Sequence, residues 1–212
     1  MGTRNLTIVQ LDGEYKVAQY CQWDGYPEGQ GKTVLHFLRD YCDLSIFKQK
    51  ISLIEEANAE YIKDLWTKEG ADPISDMVSL DISDKFKKKY PHFHRDRGAK
   101  ILQMIYDDEV SLIQKDLSFA ADSLFCEFAY VIDLDKDRLE VYKGFNEEPL
   151  SEDERFAFLT PKEYKGDNKY FPIKLAKSYD LKKLPTDEQF IKDLEEDEEL
   201  LETTEKAKSL TV

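Results

Sequence analysis

The stretch Gln22-Trp23-Asp24-Gly25-Tyr26-Pro27-Glu28-Gly29-Gln30-Gly31-Lys32-Thr33 gathers residue types that do chemistry. It holds three of the chain's nine glycines, two aromatic rings and two carboxylates. Its Gly31-Lys32-Thr33 end, leading into helical periodicity, suggests a phosphate loop. A nucleoside-triphosphatase P-loop needs its first glycine where Tyr26 stands, and a parallel strand before it. Gly25 comes one residue too early, so that reading is set aside.

A weaker property survives. A glycine-rich loop running into a helix N-terminus presents free amides to an anion or a carbonyl. Trp23 and Tyr26 can stack on a flat ligand, and Asp24 can accept its donors. The candidate ligand- or partner-binding residues are Trp23, Asp24, Gly25, Tyr26, Gly29 and Gly31, with Arg4, Asn5 and Gln22 beside them. The same residues suit a purely architectural turn, with glycines for positive φ, Pro27 for rigidity and rings for the core. Both readings stay open on sequence alone.

A second concentration lies at Lys85-Phe86-Lys87-Lys88-Lys89-Tyr90-Pro91-His92-Phe93-His94-Arg95-Asp96-Arg97-Gly98-Ala99-Lys100. It carries a net charge of +6 within a chain of net charge −14, so the other residues carry −20. Cations interleaved with rings suit a phosphate or single-strand contact. They suit equally a helix C-terminus whose dipole attracts lysines. Arg95 and Arg97 are the candidate anion-binding wall. His94-Arg95-Asp96 spells HRD, but a kinase loop needs Asn where Ile101 stands. His92-Phe93-His94-Arg95-Asp96-Arg97 stops one histidine short of HxHxDH, and His36 is the chain's other histidine. We expect no metal and no cofactor.

Other chemistry is thinner. Asp133-Leu134-Asp135-Lys136-Asp137 opens like an EF-hand, but Arg138 and Gly144 replace the required Gly and Glu, leaving a hairpin turn. No GxSxG occurs, and no cysteine sits in a recognisable Cys-His setting. An N-terminal-nucleophile mechanism would need trimming to Thr3. Catalytic residues are therefore unassigned.

Composition sets the frame. Hydrophobic residues make up 41% and aromatics 12%, too many for a wholly disordered chain. The negative balance excludes a generally basic nucleic-acid binder and argues against an anionic membrane surface. No apolar run approaches the length of a membrane span, and the N-terminal stretch has no signal-peptide core. Three scattered cysteines, Cys21, Cys42 and Cys126, read as reduced thiols in a cytoplasmic protein.

These residues must be positioned by regular elements. Leu6–Leu11 and Tyr15–Cys21 around Asp12-Gly13 form a hairpin signal. Lys32–Cys42 and Ile46–Trp66 have helical spacing. Ser83 is the expected N-cap of a short helix ending at Tyr90. Ala99–Tyr106 and Ser111–Leu124 are expected helices. Phe125–Ile132 and Leu139–Tyr142 make a second hairpin, and Tyr170–Leu175 an edge strand. The expected fold class is α+β: an antiparallel sheet built from two hairpins and covered by helices. Residues 1–185 form one domain, followed by an acidic helical or disordered extension, 186–212. In that extension Phe190, Ile191, Leu194, Leu200 and Leu201 form an apolar stripe.

Gly2-Thr3-Arg4-Asn5-Leu6-Thr7 and Tyr20-Cys21-Gln22-Trp23-Asp24-Gly25-Tyr26-Pro27-Glu28-Gly29-Gln30-Gly31 resemble the opening of a family of uncharacterised small proteins from bacteria and their phages. The likeness is specific over roughly the first 38 residues and weaker at RxxGAKIL and at AYVIDLD and LEVYKGF. It implies a prokaryotic or phage cytosolic protein and assigns no reaction. The reading is then a binding protein that inhibits or regulates a basic, nucleic-acid-handling or defence enzyme through its acidic surface and this loop. A small anionic or nucleotide ligand is the further partner, and no membrane is. The alternative is an enzyme on a nucleotide or amide, with Asp24 as general base and Arg4, Arg95 or Arg97 as anion stabilisers.

Overall fold

Asp12 and Gly13 have φ of 54° and 74°, the two positive values that a tight hairpin turn requires. They join β1 (Asn5–Leu11) to β2 (Glu14–Cys21). The Asp135 carboxylate accepts both turn amides, at 2.7 and 2.9 Å, and so pins this hairpin to the next. The computed structural model describes residues 2–74, 77–164 and 169–195.

After β2 the chain enters a continuous helical segment, α1, α-helical over Lys32–His36 with a wider turn on each side, Pro27–Gly31 and Phe37–Tyr41. The expected helix from Ile46 to Trp66 is two helices, α2 (Leu44–Ser52) and α3 (Ala59–Lys68). Asp43 and Asn58 cap them, and each offers the backbone an alternative to continuing a helix. The chain between them is extended at β3 (Glu55–Glu56) and pairs in parallel with β4 (Leu112–Ile113).

Helix α4 (Leu80–Lys89) starts one turn earlier than expected, because Ser79, and not Ser83, is its cap. It ends before Tyr90-Pro91, as the proline requires. Helix α5 (Lys100–Tyr106) follows. The expected helix over Ser111–Leu124 does not form. Its residues supply β4 and a short turn of 3₁₀ helix, Leu117–Ala121. The Asp116 amide donates instead to Ala18 on the sheet edge, at 2.8 Å.

β5 (Phe128–Asp133) and β6 (Arg138–Lys143) form the second hairpin. β7 (Lys162–Glu163) pairs with β8 (Lys169–Tyr170), and Pro172 lies just before β9 (Lys174–Asp180). Residues 187–195 form a last helix, α6. The rest of the acidic extension, with Leu200 and Leu201, lies outside the described residues.

The main sheet runs β2-β1-β5-β6-β9. It is mixed rather than antiparallel, because β1 and β5 pair in parallel. Each is the leading strand of its hairpin, and a long helical crossover returns the chain to the same end of the sheet. One face packs Val9, Tyr130, Ile132 and Val141 against Leu35, Phe47, Leu102, Phe190 and Leu194 of the helices. Thus α6 completes the principal core. The other face packs Leu6, Ile8, Val131 and Tyr142 under Phe156 and Ile173, which come from loops. A satellite core around Ile62, Leu65, Phe86 and Phe93 holds α3 to α4. Trp66 stacks flat on Phe86 within it, with ring centroids 3.5 Å apart.

Candidate functional site

Asn5 occupies the first position of β1, fully buried, and its amide nitrogen reaches three carbonyls. These belong to Thr3, Cys21 and Trp23, at 3.3–3.4 Å. The start of the 23–31 loop is thereby held to the strand. Gly25 donates to Thr3 O at 2.9 Å, and its own carbonyl accepts the buried Tyr130 hydroxyl at 2.8 Å. Gln30 N–H closes the loop on Asp24 O at 2.8 Å. A Cβ on Gly29 would lie 2.2 Å from that carbonyl, and one on Gly31 2.9 Å from the Tyr130 ring. These two glycines are required by close approach of backbone, and neither presents its amide to a ligand.

The side chains that remain face solvent. Trp23 is 46% exposed and Tyr26 is 41% exposed. The Tyr26 hydroxyl donates to Asp24 Oδ1 at 3.2 Å, and Glu28 is exposed beside them. Asp24 sits at φ 56°, a left-handed conformation that Asp tolerates. The expectation of the architectural reading that the Trp23 and Tyr26 rings enter the core is not met, since both lie at the surface. The clefts of about 540, 340, 440 and 430 Å³ among the described residues have no residue of the 23–31 loop in their linings.

The basic island adjoins this loop through its backbone. Gln22 N–H donates to Arg95 O at 3.0 Å, and Trp23 Nε1 to Asp96 Oδ1 at 3.1 Å. Asp96 also pairs with Lys87 at 2.8 Å. The three arginines then diverge. Arg4 lies 4.5 Å over the Phe125 ring, and Arg97 Nε donates to Pro91 O at 3.2 Å. Arg95 is exposed and turns into a cleft of about 340 Å³ at the outer edge of β2. Loop and island thus share a border; no described contact joins Asp24 to Arg4, Arg95 or Arg97, while Arg4 and Arg95 both lie within electrostatic reach of the Tyr20 hydroxyl.

His92 rests against Phe93, and His94 hydrogen-bonds Ser83 and lies beside Asp96. Burial lowers the pKa of both rings, which favours neutral imidazoles. Among the described residues no three His, Cys, Asp or Glu converge as metal ligands would. The three thiols are unpaired, and burial pushes Cys42 up to about 12 and Cys21 and Cys126 upward as well. None is a poised nucleophile.

Sequence reasoning missed the cleft. Gln19, Tyr20, Asp116, Phe119, Asp122 and Lys162 line it with Arg95. One signal was available. Val17, Gln19 and Cys21 share one face of β2, and Gln19 puts an amide where the pattern calls for an apolar side chain.

No helix of the described residues is long and apolar enough to cross a membrane. No family model, curated protein or solved structure matches the chain.

Proposed function

We propose that this is a non-catalytic binding protein of bacterial or phage origin, acting in the cytoplasm. It docks the exposed Trp23–Glu28 loop onto a basic protein, of the kind that handles nucleic acid or serves in defence. The supporting observation is the loop itself: Trp23, Asp24, Tyr26 and Glu28 all face outward from a backbone that Asn5, Tyr130 and the glycines hold fixed. Two rings alternating with two carboxylates suit arginine and lysine side chains, by cation–π contact and ion pairing. A fixed backbone lowers the ordering cost of docking, and Trp and Tyr are the residue types that dominate interface energies. The net charge of −14 favours encounter with a basic partner.

The enzyme reading draws less support. Asp24 faces solvent and accepts from the Tyr26 hydroxyl, and no described contact joins it to Arg4, Arg95 or Arg97.

The test is affinity capture from prokaryotic lysate with the wild-type chain and the Trp23→Ala/Asp24→Ala double variant, at low and high salt. A basic nucleic-acid-binding protein retained by the wild type, lost from the variant and released by salt supports the proposal. Equal retention by both, or retention indifferent to salt, overturns it.

A further inference from the structure

Strand β2 is an outer strand of the main sheet, and loop segments bond, and so cap, its outer backbone at Ala18 and just past its end at Gln22. Ala18 O accepts Asp116 N–H, and Gln22 N–H donates to Arg95 O. The cleft of about 340 Å³ opens between these two caps, within the size range of small-molecule sites, about 300–1,000 Å³.

Gln19 lies at its wall, only 4% exposed. Its amide nitrogen donates to Tyr20 O at 3.0 Å, while its carbonyl oxygen is buried and has no partner among the described residues. A buried acceptor left unpaired costs roughly 1–3 kcal/mol, which a donor from a bound molecule would offset. Asp116, which already accepts from Gln114 and the Tyr20 backbone, and Asp122, which accepts from Tyr164, add carboxylates with further lone pairs to the same cleft. The rings of Phe93, Tyr20 and Phe119 supply flat faces, the last two packed edge to face at 5.0 Å. Arg95 and Lys162 bring two cations, neither of which pairs with a described residue. The site therefore combines N–H acceptors, stacking surface and anion donors.

The geometry points to this cleft as a binding site for a nucleoside 5′-monophosphate whose base carries adjacent N–H donors, as guanine does. The base edge donates to Gln19 and Asp116, its ring lies on the aromatic faces, and the phosphate is held by Arg95 and Lys162. Free phosphate lacks the stacking and donor groups, and adenine lacks the ring N–H. This inference is independent of the docking loop, none of whose residues lines the cleft.

The experiment is isothermal titration of the full chain with guanosine monophosphate, adenosine monophosphate, guanosine and inorganic phosphate. Guanosine monophosphate is expected to bind with a Kd below about 1 mM and at least tenfold more tightly than the other three. Arg95→Gln, at an exposed position that does not threaten folding, is expected to weaken the monophosphate at least tenfold and to leave guanosine unchanged. Gln19→Leu is expected to abolish the preference for guanine over adenine. No binding of guanosine monophosphate by the wild type, equal binding of adenosine monophosphate, or an Arg95→Gln variant that binds as well as the wild type overturns the assignment.

Discussion

The indole N–H of Trp23 donates to Asp96 Oδ1 across 3.1 Å, and so joins the glycine-rich loop to the basic island 73 residues along the chain. The same carboxylate accepts from Lys87 at 2.8 Å. One acidic side chain therefore orients the exposed ring and neutralises a lysine of α4.

This link is pH-dependent. Burial raises the Asp96 pKa, but Lys87, His94 and Trp23 together outweigh it and hold the carboxyl below its ordinary value of 3.8. A lowered pKa stabilises the fold above 3.8, and that contribution is lost as pH falls through the folded-state value. The Trp23 indole N–H resonance is expected to shift toward its solvent-exposed position on acidification below pH 3.8, before global unfolding. The Trp66 resonance, from the satellite core, is the internal control.

Asp116 has the opposite sign. Burial raises its pKa against the hydrogen bonds from Gln114 and the Tyr20 backbone. Its contribution to stability is full below the unfolded value of 3.8 and is lost as pH rises through the folded value. Asp116→Asn, which keeps an acceptor at the site, is therefore expected to raise the melting temperature at pH 7 and to leave it unchanged near pH 3. Thermal melts at the two pH values check this.

Tyr130→Phe removes the hydroxyl that donates to Gly25 O at 2.8 Å and leaves that carbonyl buried without its donor. The expected cost is about 1–3 kcal/mol in urea unfolding, with the m-value unchanged. Amide exchange in residues 23–31 is expected to rise more than in β5 itself.

Gly29→Ala would set a Cβ 2.2 Å from a backbone oxygen, which no rotamer change relieves. The expected loss is about 1–3 kcal/mol. Capture of the proposed partner is expected to weaken with it, because the displaced Asp24 carries one of the docking carboxylates.

Arg155 lies on the loop that covers the second sheet face. It contacts Gln10 and Asp133 and donates to Glu140 at 2.7 Å, with its side chain 8% exposed. Arg155→Leu leaves two buried carboxylates without their cation. A loss of about 3–5 kcal/mol is expected, and a smaller one for Arg155→Lys. Chemical denaturation of the two variants separates charge from packing.

The local elements were largely legible in the sequence. Asp12-Gly13 between apolar runs marked the first hairpin, and the charged 133–138 turn marked the second, because turn chemistry acts within four residues. The helical period after Lys32 and the stop before Pro91 were read for the same reason. Where the sequence misled, two local signals competed. Ser83 and Ser79 are both capping residue types, and the apolar spacing of 111–124 suits a helix that the β2 edge pre-empts.

The candidate loop divides along the same line. Its glycines, rings and acids by themselves singled out residues 23–31, and left a ligand loop and an architectural turn equally open. Only the tertiary structure decided that Gly29 and Gly31 serve close approach while Trp23, Asp24, Tyr26 and Glu28 face outward. It alone paired β1 with β5 in parallel, placed Arg95 against Gln22 and left the Gln19 carbonyl unpaired at a cleft. Those relations connect segments from about 70 to more than 120 residues apart. Hairpins and caps are set by steric and hydrogen-bonding preferences of neighbouring residues, and so are written locally. The pairing of distant segments is set by how whole hydrophobic faces bury one another, and no short stretch of chain encodes it.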